Sequence, residues 1–342
     1  MISTKKKKGL KIAAAILAAV IVAYTIIALI PRTNYEGDNP MMKDGELPIL
    51  IAHGGGNKEF PDNTLEAFYN AYSVDSRVMM ETDVSITKDG VLILSHDTTL
   101  DRKTNVSGNI ADWNYSDLIA EKVDFGYTNK KVDGAYTGEL THFVGADGEE
   151  KYPTDVTYPA EVTPRDERVF LATTLEELIV AFPENRINVE IKQEGEVGVR
   201  AAEEAIRLLR KYDAFDRVVL ASFHSEIYDT FREWQRDGYV PENFMYSPGT
   251  DGATRYYVLQ LLNLDLFFSD GTCVLQLPTE QYGLNLATKS LIRKAHGHNI
   301  AVHYWTINDE DEMHYLIEAG ADGIMTDYPH RLKSVYDSYS AE

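Results

Sequence analysis

VMMETDVSITKDGVLILSHDTTLDR, residues 78–102, is the stretch that decides the fold. Met79–Val84 reads as a strand in which Glu81 and Asp83, two apart, point to one face. A solvated strand edge would also carry acids, but Val78, Met79, Met80, Val84 and Ile86 around them call for burial. The next run, VLILSH, is a second strand that ends on His96 and is followed by Asp97. Upstream, ILIAHGGGNKEFPDNTLEAF from Ile49 supplies a short apolar strand that ends on His53 and runs into three glycines. Strands whose ends carry carboxylates and imidazoles are what the mouth of a parallel barrel requires.

Working outward, short apolar runs alternate with helical patterns to the C-terminus. The expected barrel strands are Ile49–Ala52, Met79–Val84, Ile187–Ile191, Val218–Ala221, Phe244–Tyr246, Leu264–Phe268, Ala301–Tyr304 and Gly323–Met325. Helices fall between them at Thr64–Tyr72, Glu196–Lys211, Ser225–Trp234, Leu286–His296 and Asp311–Ala319. This is the pattern of a (β/α)8 TIM barrel over residues 48–335. An open doubly wound sheet is the rival, but no Gly-rich nucleotide fingerprint supports it. Only the stretch from about 101 to 170 breaks the rhythm, rich in Tyr, Asp, Gly and Thr and without clear periodicity.

In such a barrel the strand ends meet at one mouth. Glu81, Asp83 and Glu190 then form a cluster of carboxylate oxygens suited to one divalent cation, Mg²⁺ or Ca²⁺, with Zn²⁺ less suited to that donor set. An ion pair with Lys192 is the plainer reading of Glu190. His53 and His96 are the candidate catalytic acid and base. Lys192 is placed to meet an oxygen of an anionic substrate as a point charge. Asn63 is expected to donate to that substrate, to orient a ligand, or simply to cap the helix that follows. Trp305 is expected to wall the pocket. Asp97 is read as an orienter, Asp327 as mainly structural, and His224 and His303 as less favoured residents of the mouth.

The N-terminus reads differently. Lys5, Lys6, Lys7, Lys8 and Lys11 form a basic tail, residues 1–11, before an uncharged run from Ile12 to Ile30. Nineteen residues of helix span about 28 Å, close to a hydrocarbon core of about 30 Å. A cleaved signal peptide shares the basic start, but its apolar region is usually shorter, and Leu29-Ile30-Pro31 is a poor cleavage site. The expectation is an uncleaved anchor over 12–30, the tail cytoplasmic, the remainder outside the cell membrane, and a polar linker over 31–47. The single cysteine, Cys273, excludes an intrachain disulfide and a thiolate metal site. With 44% hydrophobic residues the chain can fill a core. The net charge is −21, and all six basic residues of the first 32 offset it, so the rest is more acidic still. That argues against nucleic acid as a partner, and an anionic substrate would be repelled unless a bound cation reverses the local field.

These motifs resemble the glycerophosphodiester phosphodiesterase family. The order is His53-Gly54-Gly55, Pro61-Asp62-Asn63-Thr64, Glu81-Thr82-Asp83, His96-Asp97, Val189-Glu190-Ile191-Lys192, then Trp305-Thr306-Ile307-Asn308 and GADGIMTDYP. The likeness runs from about Ile49 to Leu332, with one poorly matching stretch in the middle. It implies an inserted subdomain at about 101–170, read as a cap over the mouth. It implies metal-dependent hydrolysis of a small-molecule or lipid-derived phosphodiester to glycerol 3-phosphate and an alcohol, often by way of a cyclic phosphate. Lysophospholipids and glycerophosphate polymers of the envelope are alternative substrates. A non-catalytic binding module is the reading from another class. Two positions depart from the family pattern. Gly54 stands where an Arg usually contacts phosphate, and its neighbouring backbone amides are candidates to replace that contact. Asp62 stands for a Glu.

Overall fold

The structure, a computed structural model, describes residues 4–29, 34–132 and 135–340. The first three residues of the basic tail, the junction of anchor and linker at 30–33, and residues 133–134 of the insertion lie outside the described residues.

A helix, α1 (Thr4–Leu29), carries the apolar run, and its span Lys7–Ile26 is covered by nothing among the described residues. After it come β1 (Ile49–Ala52), α2 (Leu65–Val74), β2 (Met79–Ile86) and β3 (Leu92–Leu94). An excursion holds α3 (Tyr115–Ala120), the hairpin β4 (Tyr127–Val132) and β5 (Ala135–His142), and α4 (Leu175–Ala181). The chain then alternates regularly: β6 (Ile187–Ile191), α5 (Gly195–Lys211), β7 (Val218–Ala221), α6 (Ser225–Arg236), β8 (Met245–Tyr246), α7 (Thr250–Leu261) and β9 (Val274–Leu277). A small hairpin, β10 (Glu280–Gln281) and β11 (Leu284–Asn285), precedes α8 (Lys289–His296), β12 (Ala301–Tyr304), α9 (Glu310–Ala319), β13 (Gly323–Thr326) and α10 (Pro329–Ser340).

Eight parallel strands pair in the order β8-β7-β6-β2-β1-β13-β12-β9. The barrel is nearly closed. Among the described residues no ladder joins β8 to β9; instead the Thr272 hydroxyl donates to the Tyr246 carbonyl at 2.7 Å across the gap. The strands are almost wholly buried, as a parallel sheet covered by helices must be. Local signals start the helices: the Thr64 hydroxyl accepts from Ala67 N at 3.2 Å ahead of α2, and Thr174 with Glu177 forms a reciprocal cap ahead of α4.

One expectation changes. The sixth barrel strand is Val274–Leu277, not Leu264–Phe268. The earlier run holds a 3₁₀ turn, and its Asp265 is buried against His298 at 3.0 Å while Phe267 faces solvent. The stretch at 101–170 contains an antiparallel hairpin and packs on the β1–α2 loop at the barrel's C-terminal face, where Ala146 N donates to Lys58 O at 2.8 Å and Lys103 pairs with Asp62. It stands at the rim of the mouth.

The polar segment before β1 is not slack. Asn34 N donates to His298 O at 2.9 Å, and its side chain to Thr272 O at 2.8 Å. Asn39 Nδ2 donates to Cys273 O (2.7 Å) and Asn299 O (2.8 Å), and Tyr35 OH to Asn243 O (3.2 Å). Each acceptor lies just before the start of β8, β9 or β12. Tyr35 and Met41 are buried among Ile49, Met79, Val219, Met245 and Val274, the side chains that fill the barrel's N-terminal end. Residues 34–41 therefore form the floor of the barrel.

Candidate active site

The site is built from the opposite, C-terminal ends of the strands. β2 turns Glu81 and Asp83 inward, each 3% exposed, and its neighbour β6 turns Glu190 inward in register with Asp83. One oxygen from each of the three lies within 4.8 Å of the others. Lys192, two residues on, pairs with Glu190 at 2.7 Å and Asp83 at 3.0 Å. So much buried negative charge shifts the acids. Burial first, then Asp83, push Glu81 up to about 7, against the opposing pull of His53 and the Gly54 N–H. Burial also raises Glu190. Burial disfavours the Lys192 ammonium, but Asp83 and Glu190 outweigh it and raise its pKa.

His53 follows β1 and faces this cluster. Its Nδ1 lies 2.6 Å from Asp327 Oδ1 at the end of β13. Burial alone would lower its pKa; the Asp327 bond and the charges of Glu81, Asp327 and Asp83 carry it up to about 9. His96 is not on a barrel strand. It comes two residues after β3, which runs antiparallel to β2, and its side chain is 49% exposed. Its Nδ1 lies 2.9 Å from Asp97, whose carboxylate is gripped at two points by Arg102, at 2.6 and 2.7 Å. The bond to Asp97 raises His96. Burial would raise Asp97, but His96 and Arg102 hold it well below the usual carboxylate range. Each histidine thus has Nδ1 committed to an aspartate and Nε2 left for other work.

His53, Glu81, Asp83, His96, Glu190, Lys192 and Trp305 all line one cavity of about 200 Å³. Asn63 does not line it. Buried at φ 61°, its side chain donates to Asp83 (3.0 Å) and accepts from Thr82 Oγ1 (2.7 Å) and Asp83 N (3.1 Å), so it orients an acid; Thr64 does the capping. Gly54 N donates to Glu81 at 2.7 Å. The glycine run leaves no open space there: Gly54 is at φ +55° and a Cβ on it would sit 2.9 Å from Asp62 Cβ. His303 is buried under the cavity with Nε2 on the Met41 carbonyl (2.8 Å), and His224 Nε2 sits 3.0 Å from Lys192 O.

Sequence reasoning passed over two members. Phe223, 52% exposed, meets Trp305 edge-on at 6.0 Å and forms an aromatic wall facing the carboxylates. Asp327, read as structural, is the partner of His53. Its place just past the last strand of a barrel is the signal that would have found it.

The donors are carboxylate oxygens, buried and mutually repelling, which fits a hard divalent cation. With two imidazoles and an ammonium around it, the arrangement can bind a phosphate, stabilise charge on it and move protons on either side. The profile of the Glycerophosphoryl diester phosphodiesterase family matches residues 53–331. The chain is 25% identical to a lysophospholipase D of Homo sapiens over 308 residues, covering 85% of each chain. It is 25% identical to a probable glycerophosphodiester phosphodiesterase 2 of Mycobacterium tuberculosis over 309 residues, covering 86% of this chain and 96% of the other. In fold it is similar to a glycerophosphoryl diester phosphodiesterase structure from Silicibacter pomeroyi (TM-score 0.61, 19% identity, 88% and 96% coverage). A phosphodiesterase structure from Oleispira antarctica in complex with the product sn-glycerol-3-phosphate is similar too (TM-score 0.58, 19% identity, 85% and 97% coverage).

Proposed function

Since the chain belongs to the glycerophosphoryl diester phosphodiesterase family and so is an enzyme that hydrolyses glycerophosphodiesters, we propose that Glu81, Asp83, Glu190, His53, His96 and Lys192 carry that hydrolysis. The observation that supports this is their convergence on one cavity at the barrel's C-terminal mouth. Glu81, Asp83 and Glu190 would hold one divalent cation, Mg²⁺ or Ca²⁺. Bound there, it supplies electrostatic stabilisation of a non-bridging phosphate oxygen.

The chain's own groups do the rest. Lys192 meets a second phosphate oxygen. One histidine takes the proton of the attacking hydroxyl at Nε2, and the other gives a proton from Nε2 to the departing alcohol oxygen. Asp327 and Asp97 keep each ring in the tautomer and orientation this needs. Attack by the glycerol's own hydroxyl expels the alcohol and leaves a cyclic phosphate; water then opens that ring, with the two histidines exchanging roles, and glycerol 3-phosphate is released. Asn63 holds Asp83, and the Gly54 N–H holds Glu81. Phe223 and Trp305 offer an apolar wall to the substrate in the same cavity. A lysophospholipid, which carries its acyl chain on the glycerol side of the phosphate and would yield an acylglycerol phosphate and the headgroup alcohol, is the second reading. The aromatic wall favours it, and relatives named lysophospholipase D are in keeping with it.

We also place α1 in a membrane, with its basic end cytoplasmic and the barrel outside. The test of the chemistry is release of choline from glycerophosphocholine and from lysophosphatidylcholine by wild type, His53→Ala and His96→Ala. Near-normal rates in either variant remove that histidine. The test of topology is protease added to intact cells. A soluble mature form beginning near Arg32 would contradict the anchor.

A further inference from the structure

The anchor and the catalytic mouth are attached to opposite ends of the barrel. The described part of α1 ends at Leu29, and by Asn34 the chain is already bonded to the residues ahead of β9 and β12 on the floor. Five Cα steps reach at most about 18 Å. The floor is therefore on a short leash. The catalytic groups sit past the other ends of the same strands. Four- and five-residue strands at about 3.3 Å per residue separate the two ends by at least about 13 Å, before loops are counted. On the mouth side, the β10–β11 turn carries Tyr282, 93% exposed.

We propose that, with α1 seated in a bilayer, the barrel stands on its N-terminal face and its active-site mouth opens away from that bilayer, so that the phosphodiesters it reaches are those presented in the aqueous phase and not headgroups seated in the same membrane. This rests on the reading of α1 as a membrane anchor. It narrows the lipid-derived reading: a lysophospholipid would have to leave the bilayer before it is cleaved.

Two measurements on the full chain in phospholipid vesicles test it. Flotation reads the anchor. Energy transfer from a dye on Glu46→Cys or on Tyr282→Cys to an acceptor on the lipid headgroups reads the orientation. Cys273 is fully buried and does not compete for the dye. Glu46 is an exposed residue just ahead of β1, and neither position belongs to the catalytic machinery. The expected result is co-flotation, with transfer from position 46 several-fold stronger than from position 282. Equal transfer, or more from 282, overturns the orientation while leaving the anchor standing. Failure to float overturns the anchor and this proposal with it.

A molecular ruler checks the consequence. A glycerophosphodiester is joined through its leaving alcohol to a two-chain lipid, either directly or through a poly(ethylene glycol) spacer longer than the barrel. A soluble diester bearing the same spacer is the reference. The spaced substrate should be cleaved near the reference rate and the direct one at least tenfold more slowly. Cleavage of both alike, or of neither, overturns the proposal.

Discussion

His53 and His96 present the same device twice: a ring facing the cavity with an aspartate on Nδ1. Replacing either by Ala should lower kcat at least about 10²-fold, the usual lower range for acid–base groups, with little change in metal affinity. Asp327→Asn is the finer probe. Asp327 contributes to raising His53 to about 9, so its loss should move the pH–rate limb that follows His53 to lower pH. A group whose pKa is raised on folding contributes stability that is fully present below its unfolded value, about 6.5 for histidine. The stability gap between wild type and Asp327→Asn should therefore be widest below that pH and close as pH rises through about 9, measured by urea unfolding. Gly54 answers a different question. Its left-handed φ and the nearness of Asp62 Cβ predict that Gly54→Ala destabilises by at least about 1 kcal/mol. Gly54→Arg should disturb the Gly54–Glu81 bond before it can help a phosphate. A Gly54→Arg enzyme of wild-type stability that is improved on every diester would contradict this.

At the scale of elements, the loop after β3 matters most, because His96 hangs from it and not from the barrel. Arg102 clamps Asp97 and thereby the loop. A carboxylate held low on folding stabilises above its unfolded pKa, about 3.9, and loses that contribution as pH falls through its folded value. Asp97→Asn should thus lower the unfolding midpoint at pH 7 and flatten the loss of stability below about pH 4. It should also reduce kcat through His96. The convergence of Glu81, Asp83, Glu190 and His53 on the cavity was legible in the sequence because each sits on or beside a strand whose apolar neighbours give its position away. The sixth strand was not. Leu264–Phe268 and Cys273–Leu277 are equally apolar, and only packing decides between them: Asp265 finds His298, while Gln276 turns into the cavity. The hairpin at 127–142 was hidden for a related reason, since residues 136–141 all lie open to solvent and so show no buried alternation. Phe223 lies beyond the end of β7 and carries no local mark of its role.

At the scale of the molecule, floor and mouth are separate ends of one barrel, and they should fail separately. Met41 is fully buried in the floor. Met41→Ala should cost about 2–5 kcal/mol in urea unfolding while leaving kcat at low temperature nearly unchanged. A loss of turnover in the fully folded variant would mean that the two ends are coupled. The central claim, that one cation centre on Glu81, Asp83 and Glu190 serves two histidines in cleaving glycerophosphodiesters, has a direct measurement. Glycerol 3-phosphate release from glycerophosphocholine by the full chain is followed before EDTA, after EDTA, and after re-addition of Mg²⁺ or Ca²⁺, with Glu81→Ala in parallel. The account predicts turnover that vanishes with EDTA, returns with one of the two cations, and is absent from a Glu81→Ala enzyme whose fold is intact. Turnover that survives both EDTA and Glu81→Ala would contradict it.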